Sequence, residues 1–132
     1  MIAIDSNVLI RVITKDDPDQ ERRARALFSG EAGIQGIFLT TTTIIETVWA
    51  LRRSYKFSKT EILTVLDEML TNVAFVWERL DAITIAVEDF RTGSADFSDY
   101  VIAAVADLAG AKTAYTFDKV AAASGRFLEV PA

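Results

Sequence analysis

Short apolar runs alternate with longer amphipathic stretches along this chain, in the order that builds an α/β domain around a parallel sheet. Ile2-Ala3-Ile4 is the first strand candidate, and a helix from about Ser6 to Ile13 follows, with Ser6 as the expected N-cap. Asp17-Pro18 opens a second helix, about Pro18 to Ser29, with proline in its first turn and Gly30 past its end. Gly36 to Leu39 reads as a strand, and four threonines then lead into a helix from about Thr43 to Ser54. The next helix, about Ser58 to Leu70, begins with Ser58-x-x-Glu61, a capping box. Val73 to Val76 reads as a strand, Asp81 to Phe90 as a helix, and Asp96 to Leu108 as a helix closed by Gly110. Thr113 to Thr116 and Phe127 to Val130 complete the strands. No repeat, low-complexity tract or linker interrupts the series, so residues 1–132 are expected to form a single domain.

Composition narrows the chemistry. The chain has no cysteine and no histidine. That excludes a disulfide framework, thiol catalysis, thiolate metal sites, Ser-His-Asp hydrolysis and histidine-based ribonuclease chemistry. Chemistry must rest on carboxylates, hydroxyls, lysine, arginine or a hard metal ion. The first apolar run ends at Asp5, too short for a signal-peptide core. The longest charge-free stretch, residues 32–45, has 14 residues and holds threonines, glycines and a glutamine, so no membrane span is expected. A soluble, cytoplasmic protein is the expectation.

The acidic residues are where candidate chemistry lies. Asp5 follows the first strand and Asp118 follows the segment Ala114-Tyr115-Thr116-Phe117, and ligands of parallel α/β sheets bind beyond the carboxyl ends of strands. Each also reads as a turn or N-cap aspartate. Glu46 sits in an apolar helical segment, and Thr43-x-x-Glu46 reads equally well as a capping box. Asp96 and Asp99 open the helix Tyr100-Val101-Ile102-Ala103-Ala104-Val105-Ala106, which carries no charge on any face and is expected to be buried. Asp99 would then enter the interior, where a carboxylate must be protonated, paired or bound to a metal. As a set, these five acids would repel one another unless a cation neutralised them, and oxygen donors alone suit Mg²⁺ or Mn²⁺.

The net charge is −5, from 14 basic and 19 acidic residues. Setting aside Asp5, Glu46, Asp96, Asp99 and Asp118 leaves the chain neutral. The basic residues fall into two groups: Arg22, Arg23 and Arg25, then Arg52, Arg53, Lys56 and Lys59 with Tyr55 and Phe57 interleaved. Such groups beside a metal-filled acidic pocket suit a phosphodiester backbone, although each also reads as an ordinary solvated helix face.

These residues resemble the PIN-domain family, in particular the VapC-type toxins of bacterial toxin–antitoxin pairs. Ile4-Asp5-Ser6-Asn7-Val8-Leu9 is similar to the family's first motif, a strand followed by D-[ST]-N. Thr43 to Leu51, with Glu46, is similar to the second; Asp96-Phe97-Ser98-Asp99 with the helix after it to the third; and Thr116-Phe117-Asp118 to the fourth. The resemblance covers nearly the whole chain. It implies a three-layer α/β domain with a central, mostly parallel sheet of four to five strands flanked by helices, the acids converging at one end. It implies a metal-dependent ribonuclease, usually dimeric, inhibited by a cognate antitoxin. By motif, Asp5, Glu46, Asp99 and Asp118 carry over as the core acids. Asp96 is auxiliary, and Asn7 and Thr116 match polar positions that orient the acids.

The expected reaction is hydrolysis of RNA phosphodiester bonds with one or two Mg²⁺ or Mn²⁺ ions held by these acids. Two rivals remain. A phosphatase of the haloacid dehalogenase type would also place an Asp after its first strand, but wants a second Asp two residues on, where this chain has Asn7. A non-catalytic binding module could hold a structural ion and use Trp49, Tyr55, Phe57 and Leu66 for a partner helix, although Trp49 and Leu66 are expected in the core.

Overall fold

A computed structural model describes all residues, 1–132. It contains eight helices and five strands, and every strand pairing is parallel. The chain divides into two units, Met1–Glu78 and Arg79–Ala132.

In the first unit, β1 (Ile2–Ala3), β2 (Ile37–Leu39) and β3 (Phe75–Trp77) form one sheet in the order β1-β2-β3. Ile2 aligns with Ile37, and Ile37 with Phe75. Helices α1 (Ser6–Thr14), α2 (Pro18–Ser29) and α3 (Glu31–Ile34) connect β1 to β2. Helices α4 (Thr41–Arg53) and α5 (Lys59–Thr71) connect β2 to β3. Such crossovers are what parallel neighbours require. Leu9, Ile10, Ile37, Leu39, Ile44, Leu51, Ile62 and Leu66 are buried, so α1, α4 and α5 each turn an apolar stripe inward.

In the second unit, α6 (Leu80–Thr92) packs on α7 (Phe97–Leu108). Phe90 meets Phe97 edge-on at 5.7 Å and lies 6.5 Å from Tyr100. Strand β4 (Tyr115–Thr116) leads through α8 (Lys119–Ala123) to β5 (Leu128–Glu129), which pairs with β4. Phe127 packs there with Ala103, Ala121 and Ala114. No helix is long and apolar enough to cross a membrane.

Several expectations need correction. The five strands pair as three and two rather than in one continuous ladder. Helix α1 is capped by Asp5, not Ser6, because the Asp5 carboxylate reaches the Val8 amide at 3.1 Å. Helix α4 starts at Thr41, capped by Thr40, so Thr43 and Glu46 form no capping box. Strand β3 begins two residues later than expected, leaving Val73 exposed. Helix α7 is not buried all round, since Ile102 is 54% exposed. Trp49 is 60% exposed rather than core, and the Arg53 guanidinium lies 5.4 Å over its ring; Leu66 is buried as expected. Helices α3 and α8 are additional elements.

Candidate functional site

Parallel pairing brings the carboxyl ends of β1, β2 and β3 to the same edge of their sheet, and that edge is where the first unit's acids stand. Asp5 follows β1 and caps α1 through one carboxylate oxygen, leaving the other unbonded. The buried Thr43 hydroxyl donates to the Ile4 carbonyl at 3.3 Å, which fastens the start of α4 to the end of β1. One turn further along α4, Glu46 is exposed, and its Oε2 accepts from the Ser6 hydroxyl at 2.9 Å. Ser6 therefore orients Glu46, whereas the sequence offered Asn7 and Thr116 as the residues that orient the acids. Its place in the D-S-N motif was the available signal.

Glu78 was also missed. It follows β3 at the same edge and accepts from the Thr41 amide at 2.8 Å, favouring the positive end of α4. A strand ending in an acid, the feature that singled out Asp5, would have found it.

In the second unit, Asp96 stands at the N-cap position of α7, yet its side chain makes no capping bond. Asp99 follows in the first turn and is half-buried. Its carboxyl is pushed above the ordinary carboxylate range, first by burial and then by the negative charges of Asp96 and Asp118. The Asp96 backbone amide pulls weakly the other way. Asp118 follows β4 and caps α8, accepting from Val120 at 2.8 Å and Ala121 at 3.2 Å through one oxygen. Thr116 fixes this corner, its hydroxyl oxygen accepting from the Asp118 amide at 2.9 Å.

The segment before Asp96 is held by Tyr100, which is only 2% exposed. The Tyr100 hydroxyl oxygen accepts from the Ala95 amide at 3.3 Å. Gly93 makes room for that hydroxyl, because a Cβ at Gly93 would stand 1.8 Å from it.

None of Asp5, Glu46, Asp96, Asp99 and Asp118 is in an ion pair. Their donors are all carboxylate oxygens, which fits a hard divalent cation. Within neither unit do three of them come close enough together to hold an ion by themselves.

The basic groups are placed differently from one another. Arg22 and Arg23 share Asp19, at 2.7 Å and 3.7 Å, and Arg25 pairs with Glu21 at 2.8 Å, so much of the first group's charge is offset within α2. Arg52 and Arg53 end α4, exposed, and the exposed Lys56 follows in a left-handed conformation; Lys59 opens α5 and is half-buried.

A groove of about 470 Å³ runs from Asp5 and Asn7 between α1 and α2. Arg11 forms part of its wall and is held from several sides. Its guanidinium donates to Gln20 Oε1 at 2.6 Å, to Asp16 at 3.2 Å and to the Tyr55 hydroxyl at 3.0 Å. Tyr55 in turn donates to Asp16 at 2.9 Å, and Thr14 does so at 2.8 Å. The bond to Tyr55 raises the Arg11 pKa still further, and the bonds from Thr14 and Tyr55 hold the Asp16 carboxyl below its usual range.

No curated protein and no solved structure matches the chain. The family model for the PIN domain matches residues 2–125, nearly the whole chain. With an α/β fold of parallel strands and unpaired acids after β1, along α4, at the start of α7 and after β4, the chain belongs to the PIN domain family.

Proposed function

We propose that this PIN domain, generally a metal-dependent nuclease fold, is an endoribonuclease that hydrolyses RNA phosphodiester bonds with Mg²⁺ or Mn²⁺, and that it is the toxin of a type II toxin–antitoxin pair. In this reading residues 1–132 work as one domain, cytoplasmic and dimeric, and are held in check by a cognate antitoxin protein. The observation that carries the nuclease reading is the set of motif carboxylates left without ion pairs in a chain with 14 lysines and arginines. Carboxylates brought together at one site repel one another unless a cation joins them.

Asp5, Glu46, Asp99 and Asp118 would hold one or two ions, with Asp96 auxiliary. A divalent ion bound there lowers the pKa of a water and offsets charge on the phosphoryl oxygens. The chain's own residues prepare the ligands. Capping bonds fix one oxygen each of Asp5 and Asp118 and leave the other to bind. Ser6 orients Glu46, and Thr116 sets the turn that presents Asp118. The pKa of Asp99 is raised first by burial and then by the charges of Asp96 and Asp118, and a cation beside it would offset both. The exposed Arg52, Arg53 and Lys56 would meet the RNA backbone, with Lys59, Arg22, Arg23 and Arg25 in supporting positions. Asn7, where a dehalogenase-type phosphatase needs a second Asp, speaks against that chemistry.

Cleavage of total RNA with Mn²⁺, Mg²⁺ or EDTA, beside Asp5→Asn, tests this. Asparagine keeps the α1 cap while removing the charge, so the variant should fold. Metal-dependent cutting lost in the variant is the expected result. A folded wild-type protein that cuts nothing under any of these conditions would overturn the reading.

A further inference from the structure

The geometry points to the groove between α1 and α2 as a subsite for the RNA nucleotide next to the scissile phosphate, with Gln20 selecting a keto base, uracil or guanine. The inference rests on the nuclease reading, because that reading places the scissile phosphate at Asp5, where the groove begins. Whatever fills the groove is then the nucleotide adjacent to the cut. At about 470 Å³ it lies within the usual range of small-ligand pockets.

Its lining has the three parts a nucleotide needs. Val8, Ala24 and Leu27 supply an aliphatic surface for the flat face of a base, and Leu27 is 45% exposed, which covering would relieve. Arg23 supplies positive charge for a flanking phosphate. Its one acid, Asp19, lies 3.7 Å away and is bound more closely by Arg22, so two guanidinium groups share one carboxylate. Gln20 supplies the base-reading group, and its orientation is fixed. Arg11 has only donors to offer, so the Gln20 atom 2.6 Å from its Nε must be the amide oxygen. That bond turns the oxygen toward Arg11. Asp16 and Tyr55 lock Arg11 in turn. Gln20 therefore presents its amide N–H groups, which bind O4 of uracil or O6 of guanine and oppose the amine that cytosine and adenine carry at that position. Single-stranded RNA is read in this way, by hydrogen bonds to the edges of unstacked bases.

The test is cut-site mapping on a short oligoribonucleotide pool with Mn²⁺, comparing wild type with Gln20→Glu. Gln20 is exposed, and glutamate keeps the bond to Arg11 while replacing the donor with an acceptor. Wild type should favour uracil or guanine at one fixed position beside the cut by about tenfold, and Gln20→Glu should abolish or reverse the preference. Arg23→Gln should raise KM for all bases alike. A wild type that cleaves with an unchanged base profile in Gln20→Glu overturns the subsite and leaves the nuclease reading standing. If wild type cleaves nothing, the nuclease reading falls, and NMR titration of the Gln20 side-chain amide decides the subsite. Uridine monophosphate binding about tenfold more tightly than adenosine monophosphate supports it, and equal or absent responses overturn it.

Discussion

Gly93 lies one turn of chain before the acids of α7, and replacing it with alanine should loosen the protein out of proportion to a single methyl. Its φ of −97° suits alanine, so the backbone is not the obstacle. The new Cβ would stand 1.8 Å from the Tyr100 hydroxyl oxygen, 2.7 Å from Cζ and 3.0 Å from the Asp89 carbonyl oxygen. Ordinary non-bonded separations are about 3.5 Å, so the hydroxyl must retreat by roughly 1.5 Å. Tyr100 is buried against Phe90 and has no open direction. Overpacking of this kind costs about 1–3 kcal/mol. Breaking the bond from the Ala95 amide strands a buried donor, for about 1–3 kcal/mol more. The smaller unfolded-state entropy of alanine returns about 0.4–1 kcal/mol. The net is about 3 kcal/mol, or roughly a 10 °C fall in Tm for a chain of this size. Thermal melts and urea titrations of wild type, Gly93→Ala, Tyr100→Phe and the double variant measure it. Because phenylalanine removes the nearest atom and leaves Cζ, Gly93→Ala should cost less in the Phe background, with a coupling energy above about 0.5 kcal/mol. Equal costs in both backgrounds would refute the reasoning.

Other outcomes follow from the same contacts. Thr43→Val should cost about 1–3 kcal/mol in urea titration, because the buried bonds to Ile4 and Thr40 are lost without a change of shape. Ser58→Ala removes half of the α5 capping box and should lower stability by about 1 kcal/mol in the same assay. For Asp99, a folded-state pKa above the unfolded one means that its contribution is most favourable below the unfolded value and declines as pH rises through the folded value. Without divalent ions, Asp99→Asn should therefore gain on wild type between pH 4 and pH 7, and an equal difference at both pH values would contradict that account. Asp5→Asn should melt within about 2 °C of wild type, since asparagine caps as well as aspartate.

The sequence reading located most elements because their start and stop signals are local. Pro18 at the first turn of α2, the Ser58–Glu61 box and Gly110 after α7 sit where expected. It failed where the deciding contact is distant. The four threonines offered several possible caps for α4, and the choice of Thr40 is tied to Thr43 reaching Ile4, 39 residues away. Helix α3 was missed because Gly30 read only as the stop of α2; within α3, Gly33 packs where a Cβ would meet the Leu27 and Phe28 backbone. Trp49 was expected inside because its neighbours are apolar, yet it occupies the outward face of α4 beside Arg53. The candidate acids were legible as residues and as strand-end or helix-start positions. Their supporting bonds, from Ser6 to Glu46 and from Tyr100 to the loop before Asp96, depend on packing that one-dimensional spacing does not encode.

The all-parallel ladder of the first unit also sets an order of events during folding. Ile2 pairs with a residue 35 positions later, and Ile37 with one 38 positions later, so no strand can pair with its immediate successor through a tight turn. Sheets of such high contact order fold slowly, because chain must be looped before any pairing rewards it. On the ribosome the segment carrying Asp5 emerges before β2 and must wait for it, and β2 must wait for Phe75 to Trp77. The turn that presents Asp5 is therefore synthesised well before the sheet edge that supports it, which is completed only when β3 has been made.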